Sequence, residues 1–189
     1  HTAYLKCYYP VEFMAATMNS FIATREKLAE YIEECRSINI SVLPPNINKS
    51  DVKFTVEGGN IRYPLAAING VGIKACETIV SNRNQQGEYR NFVDFVKRNS
   101  RNDVNKKCIE GFIKAGAFDG LGNNRCELFS CYEEVVDSIN EQQKKNLEGQ
   151  ISLFAMVEDP TEHEYEIRKR EEFDLSKKLI MEKEAIGLY

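Results

Sequence analysis

The sequence predicts a mainly α-helical protein with one small β-hairpin. Apolar residues recur at helical spacing through most of its 189 residues, and polar residues occupy the positions between them. The alternation typical of a half-buried strand occurs around residues 53–63. Because 42% of the residues are hydrophobic, the chain can bury one sizeable core or two small ones.

Two helices are expected before the proline pair at Pro44 and Pro45. The first covers about residues 10–18, because proline suits the first position of a helix. The second covers about residues 25–38, with Thr24 as its N-cap. Its inner stripe consists of Leu28, Ile32 and Cys35. The prolines then force an extended chain, because their rings exclude helical backbone there.

A β-hairpin and a series of helices are expected next. The hairpin pairs residues 53–56 with 61–63 across a glycine-rich turn at residues 57–60. The helices are expected from Pro64, over residues 73–84, over residues 91–96, from a cap at Asn102–Asp103 to Lys114, from Asn123 or Asn124 to about Ile139, and over residues 175–189.

A Gly-Val-Gly turn at residues 70–72 separates two of these helices. Its glycines permit positive φ and leave no side chain over the turn. The amide N–H groups that begin the following helix can then face outward and hold a phosphate oxygen, and Lys74 and Arg83 add positive charge. We interpret the turn as the hairpin of a helix-hairpin-helix unit that grips a nucleic-acid backbone; a plain tight turn is the alternative. The candidate DNA-binding residues are Asn69, Gly70, Val71, Gly72 and Lys74.

Helix, glycine turn and helix recur around residues 116–122, flanked by Lys114 and Arg125. Gly116 and Gly122 join Lys114 and Arg125 as candidate DNA contacts, since paired hairpins can follow both strands of a duplex. Contacts of this kind go to phosphates and do not read sequence. A purely structural turn, with Phe118 in the core, is the alternative, and the pattern favours DNA contact by the first hairpin over contact by the second.

The charge distribution is uneven. The net charge is −4, but residues 61–131 carry 11 Lys and Arg against 7 Asp and Glu, a balance of +4. The remaining residues carry 14 against 22, a balance of −8. Both glycine turns lie in the basic block, whereas the acidic flanks are unsuited to lie on DNA.

Several kinds of chemistry find no support in the sequence. The six cysteines form no CxxC pair, so buried free thiols in a cytosolic protein are expected. The carboxylates are scattered on helix faces without the clustering that a divalent metal needs. No P-loop, dinucleotide fingerprint, signal peptide or membrane-spanning run of ~18 apolar residues is found. Without these catalytic arrangements, we expect a non-catalytic segment. Because the chain also lacks an initiator Met, we expect it to be a piece of a longer protein.

A short apolar peptide lies in a polar and acidic stretch. Its adjacent Leu153 and Phe154 are costly to leave in water, since burying both is worth roughly 4 kcal/mol. They either fold back on the protein or dock into a partner's pocket, and the residues alone leave both possibilities open. The whole peptide is Gln150, Ile151, Ser152, Leu153 and Phe154.

Five motifs resemble the alpha subunits of bacterial DNA polymerase III, the family C replicative polymerases. They lie at residues 2–16, 42–48, 65–72, 112–119 and 181–189. The resemblance implies that residues 1–43 end a fingers domain and that residues 44–139 form a tandem helix-hairpin-helix domain for duplex DNA. It implies a linker over residues 140–160 and a helical lead into an oligonucleotide-binding domain over residues 161–189.

The same resemblance implies partners and an activity. Residues 150–154 match the internal peptide that binds the β sliding clamp. The catalytic aspartates of such a subunit lie upstream, so this segment contributes none, and Mg²⁺-dependent nucleotide transfer and contacts with other replisome subunits belong to the full-length chain. A helix-hairpin-helix module of a repair or recombination protein, or a purely structural helical domain, is the alternative.

Overall fold

The computed structural model describes residues 2–99, 104–147 and 165–187. Within these ranges the protein is mainly α-helical with one small sheet, as predicted. The helices are Thr2–Tyr8 (α1), Pro10–Ser20 (α2), Arg25–Ser37 (α3), Ile73–Gln86 (α4), Phe92–Asn99 (α5), Lys106–Lys114 (α6), Arg125–Leu147 (α7) and Leu175–Ile186 (α8), with a short 3₁₀ helix at Leu65–Ala67. The strands are Val42–Leu43 (β1), Thr55–Glu57 (β2) and Asn60–Arg62 (β3).

The sheet has the strand order β1-β3-β2. The predicted hairpin is confirmed: β2 and β3 are antiparallel, with Thr55 opposite Arg62. Strand β1 was not predicted, and it pairs in parallel with β3, with Val42 opposite Ile61. A two-residue strand is too short to show an alternating pattern, and its existence depends on a partner that lies about twenty residues away.

The starts of four helices differ from the prediction or refine it. Helix α1 was not expected, and α6 begins only at Lys106, where the Asn105 side chain accepts a 2.9 Å hydrogen bond from the Cys108 amide. The predicted cap at Asn102–Asp103 lies outside the described residues. Helix α7 begins after Asn124, whose side chain accepts from the Glu127 amide at 2.8 Å. Thr24 precedes α3 without a side-chain capping bond.

One hydrophobic cluster includes residues from α2 to α8 and continues across the predicted boundary at residue 44. Its centre is a group of aromatic rings packed edge to face, with centroids 5.0–6.2 Å apart, an arrangement that adds to their burial energy. These rings belong to Phe92, Phe95, Phe112 and Phe118. Both glycine turns are therefore attached to a single core.

The cysteines of the described residues are free thiols. Cys35, Cys76 and Cys108 are buried, whereas Cys7 on α1 is exposed. Burial raises the pKa of Cys35 to about 11 and, with the neighbouring Cys108, that of Cys76 to about 12. Among the helices of the described ranges, none combines the length and apolarity needed to cross a membrane.

Candidate nucleic-acid interface

The first glycine turn leads directly into α4. Gly70 has φ +78°, a backbone conformation that glycine permits, whereas Gly72 has φ −82° and ψ 149°, so only the first glycine of the turn uses positive φ. Gly72 instead occupies the N-cap position of α4. A Cβ placed there would meet nothing within 4 Å. The space in front of this helix end is therefore open.

The N-terminus of α4 is exposed and uncapped. No side-chain hydrogen bond caps it in the described part of the chain, and Ile73, its first residue, is 60% exposed. The first amides of any α-helix lack partners within the helix and carry its positive dipole end. An anion that approaches Gly72 can therefore accept hydrogen bonds from backbone N–H groups.

Lys107 of α6 lies against the same turn. A Cβ placed on Gly70 would be 3.3 Å from Cγ and 3.4 Å from Cε of Lys107, so the lysine side chain runs along the turn. Lys74 and Lys107 are both exposed, and no carboxylate of the described residues forms an ion pair with either one. Lys107 was not a candidate from the sequence, because its position at the turn depends on tertiary packing. We call Gly70, Gly72, Lys74 and Lys107 the open hairpin face.

Three residues predicted near this site have structural contacts. The backbone N–H of Asn69 donates to the Ala185 carbonyl of α8 at 2.8 Å, and its Nδ2 donates to the Glu184 carbonyl. Val71 is partly buried against the core. The guanidinium of Arg83 donates to the carbonyls of Ile47 and Ser50 and so holds a loop in place. The positive charge that was predicted to lie near the turn is therefore used elsewhere.

Helix α6 packs directly on the first turn through Gly111. A Cβ at Gly111 would lie 2.6 Å from the Asn69 carbonyl oxygen, closer than such atoms can approach. The backbone of α6, which leads into the second turn, therefore meets the backbone of the first turn at this glycine. The available sequence signal was the glycine itself, because an isolated glycine disfavours a helix and its presence in α6 needs a packing reason.

The second turn is occupied by its own side chains. Gly116 has φ +74°, and a Cβ there would lie 2.2 Å from Nη2 of Arg125. Arg125 is buried, with a side chain 9% exposed, and bonds Asp119 and Glu182 at 2.7 Å each. Burial alone would lower the pKa of Arg125, but the hydrogen bonds and charges of the two carboxylates outweigh it and raise the pKa.

Lys114 is also engaged within the protein. Its Nζ lies 3.0 Å from carboxylate oxygens of both Glu110 and Glu184. The hydrogen bond to Glu110, joined by that to Glu184, raises the pKa of Lys114. Gly122 lies exposed at the tip of the turn with φ +91°. The predicted DNA-binding residues thus lie in or beside two separate turns. The two cations beside the second turn, Lys114 and Arg125, are paired with carboxylates of the protein.

Two further sequence predictions concern this region. The peptide of residues 150–154 lies outside the described residues. Among the described residues, no group of three or more His, Cys, Asp or Glu side chains could hold a metal ion.

Comparison with known proteins agrees with the paired turns. A family model described as helix-hairpin-helix motif matches residues 39–128, which contain the sheet and both glycine turns. The fold and the match together define residues 39–128 as a helix-hairpin-helix region.

The whole chain is similar to one kind of protein. It is 38% identical over 192 residues to the DNA polymerase III subunit alpha of Mycobacterium tuberculosis (strain ATCC 25618 / H37Rv). The alignment covers 100% of this chain and 16% of that protein. The same subunit of Borreliella burgdorferi is 38% identical (17% of its length), and that of Thermus aquaticus 37% (15%). The chain belongs to the family of DNA polymerase III alpha subunits and corresponds to a segment of one.

Proposed function

We propose that the protein holds duplex DNA by its sugar-phosphate backbone, as the DNA-binding region of a replicative polymerase. The observation that carries this proposal is the open hairpin face, where an uncapped helix end lies between two exposed lysines. Backbone amides recognise phosphate without reference to the base, so the contact is independent of sequence. The names of the relatives support DNA as the partner.

Duplex binding at several salt concentrations tests this proposal. Lys74→Glu and Lys107→Glu each remove one phosphate contact, so we expect weaker binding of all sequences and a salt slope lowered by about one per contact. Gly72→Val is expected to weaken binding without unfolding the protein, because its Cβ has open space and its φ is allowed for valine. Unchanged affinity in all three variants would sink the proposal.

Lys106→Glu provides the matched control. Lys106 precedes Lys107 on α6, but its Nζ is paired with Asp137 at 2.7 Å and it does not line the first turn. The substitution makes the same change in net charge one residue away. We therefore expect a clearly smaller loss of affinity than in Lys107→Glu, whereas equal losses would indicate a general charge effect.

The second proposed interaction is with a sliding clamp, through residues 150–154. Its support is the peptide's match to the family pattern and the adjacent apolar pair in a polar stretch. Clamp pull-down with Leu153→Ala/Phe154→Ala is expected to show lost binding, with an unchanged melting temperature. Ile151→Ala is the control, because the pattern accepts any residue there. A melting temperature lowered by many degrees would instead indicate that the pair folds back on the protein.

The polymerase activity belongs to the longer protein. The chain spans about 16% of the relatives' length, and nucleotide transfer with Mg²⁺ is proposed for parts outside this chain. Contacts with other replisome subunits are proposed for the full-length chain in the same way. This segment's contribution is to position the duplex and attach the enzyme to its clamp.

A further inference from the structure

The first amides of α7 are bound by carboxylate and amide oxygens of the protein itself. The backbone N–H groups of Arg125 and Cys126 donate to the two carboxylate oxygens of Glu172, at 3.3 and 3.2 Å. The N–H of Asn124 donates to Glu127 at 3.3 Å, and that of Glu127 to the Asn124 side chain at 2.8 Å. A carboxylate thus lies where an anion binds at a helix N-terminus.

Glu172 is held in place by its surroundings. It belongs to residues 165–174, a segment without regular secondary structure that contacts α7 and that we call the return segment. The ring of Phe173 packs edge to face on Phe129 of α7, with centroids 6.2 Å apart, and the Asn124 side chain donates to the Arg170 carbonyl at 2.8 Å. Tyr165 and Ile167 pack against the core.

The first helix-hairpin-helix unit contains the turn at residues 70–72 and α4, and the second contains α6, the turn at residues 116–122 and α7. The two units differ at the start of the helix that follows each turn. Within the described part of the chain, α4 begins with an uncapped glycine beside two lysines without an ion-pair partner, whereas α7 begins with its amides bound and Arg125 paired with carboxylates. Amides within both turns are bonded internally, as from Val71 to the Ile68 carbonyl at 3.3 Å and from Ala117 to the Phe112 carbonyl at 2.9 Å, so the difference lies at the starts of α4 and α7. Two units that share a motif therefore present one open anion site.

We infer that the second unit binds the return segment of its own chain, through Glu172, in the place where a DNA phosphate would bind. The duplex is then contacted by the first unit alone, and the second unit serves as the docking site for residues 165–174. This inference rests on the proposed function for its DNA readout. Its other readout, the bonding of the α7 amides, is independent of DNA.

Two pairs of matched variants test where the duplex binds. Asp or Asn at Gly72 changes the first turn, and Asp or Asn at Gly122 changes the second; within each pair only the charge differs. Neither position has an atom within 4 Å of an added Cβ. We expect Gly72→Asp to bind duplex DNA roughly tenfold more weakly than Gly72→Asn, and the two Gly122 variants to bind equally.

The other outcomes distinguish a failure of this inference from a failure of the proposed function. If Gly122→Asp also binds more weakly than Gly122→Asn, the second turn contacts DNA, so the inference is overturned while the proposed function stands. If neither pair differs, the proposed function fails. The amide readout then decides by itself whether Glu172 occupies the second unit.

Hydrogen exchange supplies that readout. In Glu172→Ala we expect the amides of Arg125 and Cys126 to exchange roughly tenfold faster than in the unmodified protein, because they lose a charged acceptor. Glu171→Ala removes the same charge from the neighbouring exposed residue and is expected to leave both rates unchanged. Unchanged rates in Glu172→Ala would overturn the inference.

Discussion

At Gly111 the backbone of α6 passes so close to the first turn that only a hydrogen atom fits between them. The 2.6 Å separation from the Asn69 carbonyl involves backbone on the turn side, so an added methyl group cannot be accommodated by a side-chain rotation. The turn itself must shift. This residue therefore controls the relative position of the two units and of the open hairpin face.

Gly111→Ala is expected to destabilise the protein by about 1–3 kcal/mol, the usual cost of overpacking a core, although alanine is the better helix former. Urea denaturation would measure the loss. Gly72→Ala is the control, because it adds the same methyl group in open space and is expected to change the free energy of unfolding by far less. Equal stabilities of the two variants would show that the turn adapts freely.

Glu127 provides a pH-dependent contribution at the start of α7. Its side chain is 4% exposed, and hydrogen bonding from Asn123, followed by the amides of Arg170 and Asn124, lowers its pKa below the ordinary 4.5. A pKa that is lower in the folded state stabilises the protein above the unfolded pKa. This stabilisation is lost as the pH falls through the folded value.

Glu127→Gln is therefore expected to cost about 2 kcal/mol at neutral pH, the usual worth of hydrogen bonds to a buried charge. The difference from the unmodified protein should shrink as the pH falls below 4.5, because the carboxyl becomes neutral in both states. Urea denaturation at several pH values measures it. A difference that is constant with pH would contradict the assignment.

At the scale of elements, α8 connects the two units. Its carboxylates reach Lys114 and Arg125, which flank the second turn, and its last carbonyls accept hydrogen bonds from Asn69 of the first turn. The two ion pairs differ in exposure: the Lys114 and Glu184 side chains are 23% and 57% exposed, whereas those of Arg125 and Glu182 are 9% and 32% exposed. The more buried pair, Arg125 with Glu182, is therefore expected to contribute more to the stability of the protein.

Glu182→Gln and Glu184→Gln form a matched comparison on this helix. We expect Glu182→Gln to cost about 2 kcal/mol, since it weakens the bonding of a buried guanidinium, and Glu184→Gln to cost below about 1 kcal/mol. Thermal melts at low and high salt would also show the Glu184 effect to be the more salt-sensitive. The reverse order would mean that Asp119 alone satisfies Arg125.

The elements that sequence could predict are those with their own periodicity and caps. Helices α2, α3, α4 and α7 carry apolar stripes over three turns or more, and the hairpin carries its turn chemistry within a few residues. Strand β1 could not be predicted, because a two-residue segment becomes a strand only when β3 is beside it. For the same reason Lys107 could not be predicted as a site residue, since only tertiary packing brings it to Gly70.

The site was partly readable in the same sense. The glycine turns were evident as motifs, but their difference was not, because Glu172 is 47 residues from Arg125, whose amide it binds at the start of α7. Arg125 looked like a free cation in the sequence and lies buried between two carboxylates. Charge counted along a chain does not reveal which charges are already paired.

At the scale of the whole molecule, the continuous core predicts cooperative unfolding. The hydrophobic cluster contains Met14 of α2, Phe118 beneath the second turn and Ala185 of α8. We expect the amide signals of α2 and α7 to be lost at one urea concentration, as in a two-state transition. Two separate midpoints would show that the first helices and the hairpin units are independent domains.

The burial of the thiols has a practical consequence. Thiol reagents attack the thiolate, and burial holds Cys35 and Cys76 in the protonated form, whereas Cys7 on α1 is open to solvent. A maleimide dye at neutral pH should therefore modify Cys7 ahead of these two. Cys126 and Cys131 are only partly buried, so with these two replaced by serine, Cys7 is an attachment point for a fluorophore, away from both glycine turns along the chain, by which DNA capture could be followed.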